Sequence, residues 1–172
     1  MPSLFALHSV TLLFSFFSFP LLIDASDILS AVSNNNLKLL KSYLKKDFNV
    51  NKLYKQNLFG ENFTWSLLHA ASYYGAIDCV NALMAHSADI ELQDTWYGGR
   101  ALAWAAFGGH IDLCSLLVKK WGADPLARNK ENQTAYDLVS DPENKEWAGI
   151  LYNVEVKLYF IFSLNKLEIE RE

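Results

Sequence analysis

Four histidines and two cysteines are the side chains of this sequence with the most reactive chemistry. His69 could act as a general base, but a triad needs an orienting acid and a nucleophile, and the sequence aligns neither with it. His110 and Cys114 stand four apart, so a helix would put both on one face as two metal ligands. The glycine pair just before His110 and the lack of a third ligand argue against zinc there. Gly98-Gly99 and Gly108-Gly109 are isolated pairs, whereas a phosphate-binding loop needs more glycines and a lysine at fixed spacing. The run Lys38–Lys46 reads as the solvated side of an amphipathic helix, with Leu37, Leu39, Leu40, Tyr43 and Leu44 turned inward. The residues therefore point to no catalytic group, no metal ligand set, no cofactor and no small-molecule substrate.

Composition narrows the classes further. The chain has 172 residues with 15 Lys+Arg against 19 Asp+Glu, a formal charge of −4, and this lacks the clustered basic footprint that nucleic acid requires. With 51% apolar and 14% aromatic residues the chain is too hydrophobic to be disordered. Both ends carry an apolar excess. Leu4–Ile23 holds no Lys, Arg, Asp or Glu, Pro20 breaks it, and Ala25 precedes Ser26. Three readings stand: a secretory signal cleaved after Ala25, a membrane anchor, or an artefact of the gene model. If it is an anchor, Lys38, Lys41, Lys45 and Lys46 all follow it and place the remainder in the cytosol. At the other end, residues 153–172 include the strand-prone run Val154–Leu164, too short to span a bilayer as a helix. It reads as a capping or partner-binding strand, or as a non-native or truncated tail; we favour the tail.

The elements that position the remaining residues come from self-similarity. Ser66-Leu-Leu-His-Ala-Ala-Ser-Tyr-Tyr-Gly-Ala-Ile-Asp superposes without a gap on Arg100-Ala-Leu-Ala-Trp-Ala-Ala-Phe-Gly-Gly-His-Ile-Asp at an offset of 34. Leu68 then matches Leu102, Ala71 matches Ala105, and Gly75 matches Gly109. A further step of 34 reaches Thr134-Ala-Tyr-Asp-Leu-Val, and a looser copy lies upstream from Ser26. Within a unit, Ser66 or Thr134 caps a first helix, a glycine supplies the turn, and a second helix shows the apolar spacing Ile77, Val80, Leu83, Met84 or Ile111, Cys114, Leu117, Val118. Cys79 and Cys114 fall one place out of step in successive second helices, so they read as small core residues, and a disulfide between them is doubtful. Asn132 takes the place of Gly98 one unit later and tolerates the left-handed region. Asn51 to Thr64 forms an enlarged finger, and Trp121 is a one-residue insertion.

With this period and the Ser66-Leu-Leu-His-Ala-Ala segment, the chain resembles the ankyrin repeat family over about Ser26 to Tyr152. Leu67, Ala101 and Ala135 replace the signature proline, and only His69 keeps the histidine. The resemblance implies an all-α solenoid of about four helix-turn-helix units with β-turn fingers, near 26–65, 66–99, 100–133 and 134–152. It makes His69 a helix-start residue bonded within the stack and gives Leu68, Ala71, Gly75, Leu102, Ala105 and Gly109 structural roles. It also implies a non-catalytic adaptor or scaffold that binds another protein, with Tyr73, Tyr74, Trp96, Tyr97 and Phe107 on a concave groove and Trp104 in the core. The alternatives are a secreted or membrane-tethered effector and a fragment of a larger multidomain protein. The signal-like start suggests the secretory pathway or a membrane tether, and the resemblance suggests cytoplasm or nucleus.

Overall fold

The computed structural model describes residues 25–152 except 46 and 142. The expectations for the apolar run 4–23 and for the tail 153–172 lie outside the described residues. Three helix pairs follow in order: α1 (Ala25–Ser33) and α2 (Leu37–Tyr43), α3 (Leu67–Tyr73) and α4 (Ile77–Ala85), α5 (Ala101–Phe107) and α6 (Ile111–Lys119). First helices stack on first helices, with α3 between α1 and α5, and α2 packs on α4. After α6 come a 3₁₀ turn at Tyr136–Leu138, the short α7 (Lys145–Trp147) and a π turn at Ala148–Tyr152. No helix among the described residues is long and apolar enough to cross a membrane.

Local chemistry explains the helix ends. Each first helix closes through a residue with positive φ: Asn35 at 48°, Gly75 at 68° and Gly109 at 78°. The next amide reaches back over the turn, Asn36 to Ala31, Ala76 to Ala71 and His110 to Ala105, at 2.7, 2.8 and 3.0 Å. That is the six-to-one bond of a Schellman close, which an L side chain other than Asn resists. The finger positions Gly98 and Asn132 match in the same way, at φ 65° and 64°. Ser66 caps α3 reciprocally, accepting from the His69 amide while the His69 ring accepts from the Ser66 amide. At Thr134 the roles reverse: its N–H and hydroxyl both donate to the Asp137 carboxylate at 2.7 and 2.8 Å, and only the 3₁₀ turn follows.

The expectation of an all-α chain needs correction. The enlarged finger is an antiparallel hairpin of β1 (Tyr54–Leu58) and β2 (Glu61–Trp65), registered from Tyr54 opposite Trp65 to Leu58 opposite Glu61. Phe59 and Gly60 form its two-residue turn with φ 54° and 86°, the double left-handed conformation that matches strand twist. Tyr54, Phe63 and Trp65 are buried on one side of the hairpin, a period of two rather than 3.6. Two inward assignments also fail at the surface. Leu39 and Ile77 are 37% and 38% exposed, whereas Leu40, Val80 and Leu83 are buried, as is Cys79. Cys114 is buried too, and burial pushes its thiol up to about 12. The two cysteines are free thiols.

The core runs the length of the stack. Leu68, Ala71, Leu102 and Ala105 lie at 3% exposure or less, and the alanines let the first helices approach closely. His110 wedges between units, its Nε2 2.9 Å from the Tyr73 carbonyl. A Cβ at Gly75 would meet the His110 ring at 2.6 Å, whereas one at Gly109 would meet nothing within 4 Å. The two glycines are therefore required for different reasons. Gly109→Ala should cost only the left-handed strain, about 1–2 kcal/mol, and Gly109→Val somewhat more. Gly75→Ala should cost more than Gly109→Ala, and in a His110→Ala background the two should converge. Denaturant melts of these variants, with His110→Ala as the second reference, measure this; equal costs in the native background would show that the His110 contact carries no weight.

Candidate protein-binding surface

The surface is assembled from the hairpin, the finger Asp94–Gly99 and the ends of α3 and α5. Asp94 organises the finger. It is 3% exposed, and its Oδ1 accepts from the amides of Trp96 and Tyr97 at 2.6 and 3.0 Å. Its Oδ2 accepts from the Trp104 indole Nε1 at 3.0 Å. The carboxylate thus closes an Asx turn and holds a ring of α5 at once. Gly99 leaves room for it, since a Cβ there would lie 2.9 Å from Asp94 Oδ2. One unit later Asn129 takes the corresponding part, accepting from the amides of Glu131 and Gln133 at 3.0 and 2.8 Å. The fingers are joined by Thr95 N–H to the Thr64 carbonyl and Lys130 N–H to the Tyr97 carbonyl, at 3.0 and 2.7 Å.

Onto this frame the rings cluster. Trp104 is buried, stacked on Phe63 at 5.8 Å and edge-on to Tyr73 and Phe107 at 5.7 and 6.1 Å. Tyr73 stacks on Phe107 at 6.1 Å, the pairing of equivalent positions on successive first helices. Trp96 lies against Phe63 at 5.1 Å and Tyr97 at 4.3 Å, so its ring is half-buried, with Tyr97 outside it.

The five residues singled out from sequence fall into two neighbouring concavities. Trp96, Tyr97 and Phe107 line a groove of about 420 Å³, together with Trp104 and residues of the next finger. Tyr73 and Tyr74 line a second of about 380 Å³, which Phe107 and His110 also border. Phe59 belongs to both. Sequence reasoning missed this residue, which projects from the hairpin tip 70% exposed, 6.5 Å from Trp96 and 6.3 Å from Phe107. The signals for it were the alternation through Phe63-Thr64-Trp65 and a glycine at the second place of the turn. Asp94 was missed because its partner Trp104 is reached only through the folded finger.

His69 lies behind the surface, 1% exposed. Its Nδ1 accepts from the Ser66 amide at 2.9 Å, so the proton resides on Nε2, which donates to the Leu92 carbonyl at 2.8 Å. The Ser66 bond requires the neutral ring, and burial lowers its pKa, outweighing the Leu92 bond, which by itself favours the protonated form. Among the described residues no group of three or more His, Cys, Asp or Glu is placed to hold a metal.

Two expectations follow. Asp94→Ala strands three N–H donors, and about 1–3 kcal/mol for each buried unmade bond should bring a large loss of melting temperature; Asp94→Asn, which keeps an acceptor for the finger amides, should lose less. Equal losses would mean that the finger-amide bonds contribute nothing, and an Asp94→Asn chain as stable as the native one would mean that the Trp104 bond contributes nothing. For His69 the folded pKa lies below the unfolded one, so the unfolded chain binds the extra proton. Stability is therefore full above about pH 6.5 and falls as the pH drops toward the folded pKa. In His69→Gln that part of the acid sensitivity should vanish, and an unchanged slope would exclude His69 as its source.

Comparison with known proteins agrees with this architecture. The family model for ankyrin repeats (3 copies) matches residues 28–129. The ankyrin repeat and SAM domain-containing protein 6 of Mus musculus is 31% identical over 122 residues, 69% of this chain and 13% of that protein. The ankyrin repeat and SOCS box protein 3 of Bos taurus is 31% identical over 106 residues, 60% of this chain and 19% of that protein. The inhibitor of Bruton tyrosine kinase of Homo sapiens is 30% identical over 115 residues, 67% of this chain and 8% of that protein. The chain thus spans less than a fifth of the length of these curated relatives. With its helix pairs, its left-handed turns at matching positions and a family match over more than half its length, this chain belongs to the ankyrin repeat family.

Proposed function

We propose that this chain is a non-catalytic adaptor or scaffold that takes up another protein on the concave aromatic face built by Tyr73, Tyr74, Trp96, Tyr97 and Phe107. Ankyrin repeats are protein-interaction modules. Two of the relatives are named for ankyrin repeats joined to a SAM domain or a SOCS box, which supports reading the repeats as the recognition part of such a chain. The observation that carries the reading is the exposure of contiguous rings: Phe59 70%, Phe107 46%, Tyr74 40% and Tyr97 37%. Large rings left partly in water around a concave face are interface anchors, with contact area gained at low entropy cost. We count 134–152 as a fourth, terminal unit that caps the stack, on the burial of Ala135, Trp147 and Leu151.

The uncharged run Leu4–Ile23 favours a variant of the same reading, in which an effector is delivered to the secretory pathway or tethered to a membrane. A mature chain beginning at Ser26 in mass spectrometry would support cleavage; an intact N-terminus would remove that route.

Trp96 is too deeply packed on Phe63 for a clean binding test, so the exposed rings are the ones to change. Tyr74→Ala, Tyr97→Ala and Phe107→Ala combined should abolish partner capture. The stability cost should be small, roughly 0.5 kcal/mol or less per exposed ring. Unfolding of the triple variant would assign those rings to the core, and full retention of partners would place binding on another face.

A further inference from the structure

Resting on that reading of the groove, we infer that its aromatic end is a cation box for a quaternary ammonium group, presented as a trimethylated lysine side chain of the partner protein. Four rings close a circuit there: Phe59 to Trp96 at 6.5 Å, Trp96 to Trp104 at 6.4 Å, Trp104 to Phe107 at 6.1 Å, and Phe107 to Phe59 at 6.3 Å. Sides of this length keep the middle of the circuit within about 6 Å of all four centroids, the range in which a cation is held by ring faces. Phe107 stands edge-on to both Phe59 and Trp104, at 86° and 83°, so the rings form walls rather than a flat stack.

Charge and hydrogen bonding select the occupant. The groove lining carries two carboxylates, Asp94 and Glu131, and neither a lysine nor an arginine. Lys130 is drawn aside, its Nζ donating to the carbonyls of Thr95 and Trp96. The acceptors of the lining are largely in use. Asp94 serves three N–H groups, Asn129 Oδ1 serves two, and Gln133 Oε1 accepts from Asn129 Nδ2 at 3.0 Å. A primary ammonium or a guanidinium would bring three to five N–H donors into a place where, beyond the Glu131 carboxylate, the side-chain acceptors named are already engaged. A quaternary ammonium brings charge and methyl groups but no donor, which ring faces and the exposed Glu131 carboxylate satisfy.

The hairpin tip is a second, independent observation. Phe59 holds φ 54°, a conformation costly for an aromatic residue at a place normally given to Asn or Asp. With its ring 70% exposed, burial returns little for that strain, and the turn sets the ring as the outer wall of the box. Strain kept at one ring of a binding surface suits a functional constraint.

The test is titration of the full chain with Nε-trimethyl-lysine, with lysine, and with the neutral analogue in which carbon replaces the ammonium nitrogen, followed by tryptophan fluorescence. Trimethyl-lysine should bind saturably and about tenfold or more tighter than either of the others. Phe59→Ala and Glu131→Gln should each weaken it several-fold with an unchanged far-UV spectrum. Equal binding of the neutral analogue, or no binding of trimethyl-lysine, would overturn the proposal. So would binding to phosphatidylcholine vesicles in preference to a trimethyl-lysine peptide, which would assign the box to a lipid headgroup. A chain that captures its partner through Tyr74, Tyr97 and Phe107 yet ignores trimethyl-lysine keeps the protein-binding surface and loses the cation site.

Discussion

A carboxylate taken out of water is tolerated only when its oxygens are fully met, and Asp94 meets this condition by drawing a finger and a helix together. Two of its donors are the amides of Trp96 and Tyr97, which lie in the same turn, and the third is the indole of Trp104, ten residues away. The finger cannot open without exposing or stranding this charge, and Trp104 cannot rotate without doing the same. Trp104 in turn is the ring against which Phe63, Tyr73 and Phe107 are arranged. The aromatic face therefore takes its geometry from a polar interaction, and ring packing alone would leave several arrangements of similar energy.

The backbone supplies the register within which that interaction recurs. Asn35, Gly75 and Gly109 hold the same left-handed close, and Gly98 and Asn132 hold the same place in successive fingers. These positions make each unit a copy of its neighbour, so that a first helix always meets a first helix. Phe59 breaks the pattern: the chain spends a left-handed conformation on an aromatic residue, and it does so where the hairpin overhangs the groove.

The helix pairs were legible in the sequence because the offset of 34 between units fixes small residues, glycines and apolar faces together. Less legible were features that depend on which surface lies opposite. A helical period names a face but not the neighbour that covers it, and so Leu39 and Ile77, at the margins of their apolar faces, stay at the surface while Cys79 is buried. Tyr73 and Tyr74 are adjacent in sequence and both lie near Trp65, yet it is Tyr73 that stacks on Phe107. The hairpin was hidden for another reason. Its strands are five residues each, too short for periodicity to outweigh the irregularity expected of a finger, and its turn carries Phe-Gly in place of the usual Asn-Gly.

Comparing equivalent positions in the second and third units explains why the hairpin docks where it does. Position 104 is tryptophan in the third unit, and its counterpart in the second is Ala70. The small side chain leaves a space on α3 that its own helix does not fill, and a void there would forfeit dispersion contacts on every wall. Trp65, at the end of β2, is wholly buried, borders one concavity together with Ala70, and has its ring 5.3 Å from Trp104 and edge-on to it. The hairpin thus delivers to the second unit the indole that the third unit carries on its helix. Anchored by that ring at its base, the hairpin extends along the concave side, and Phe59 at its tip comes to rest beside Phe107.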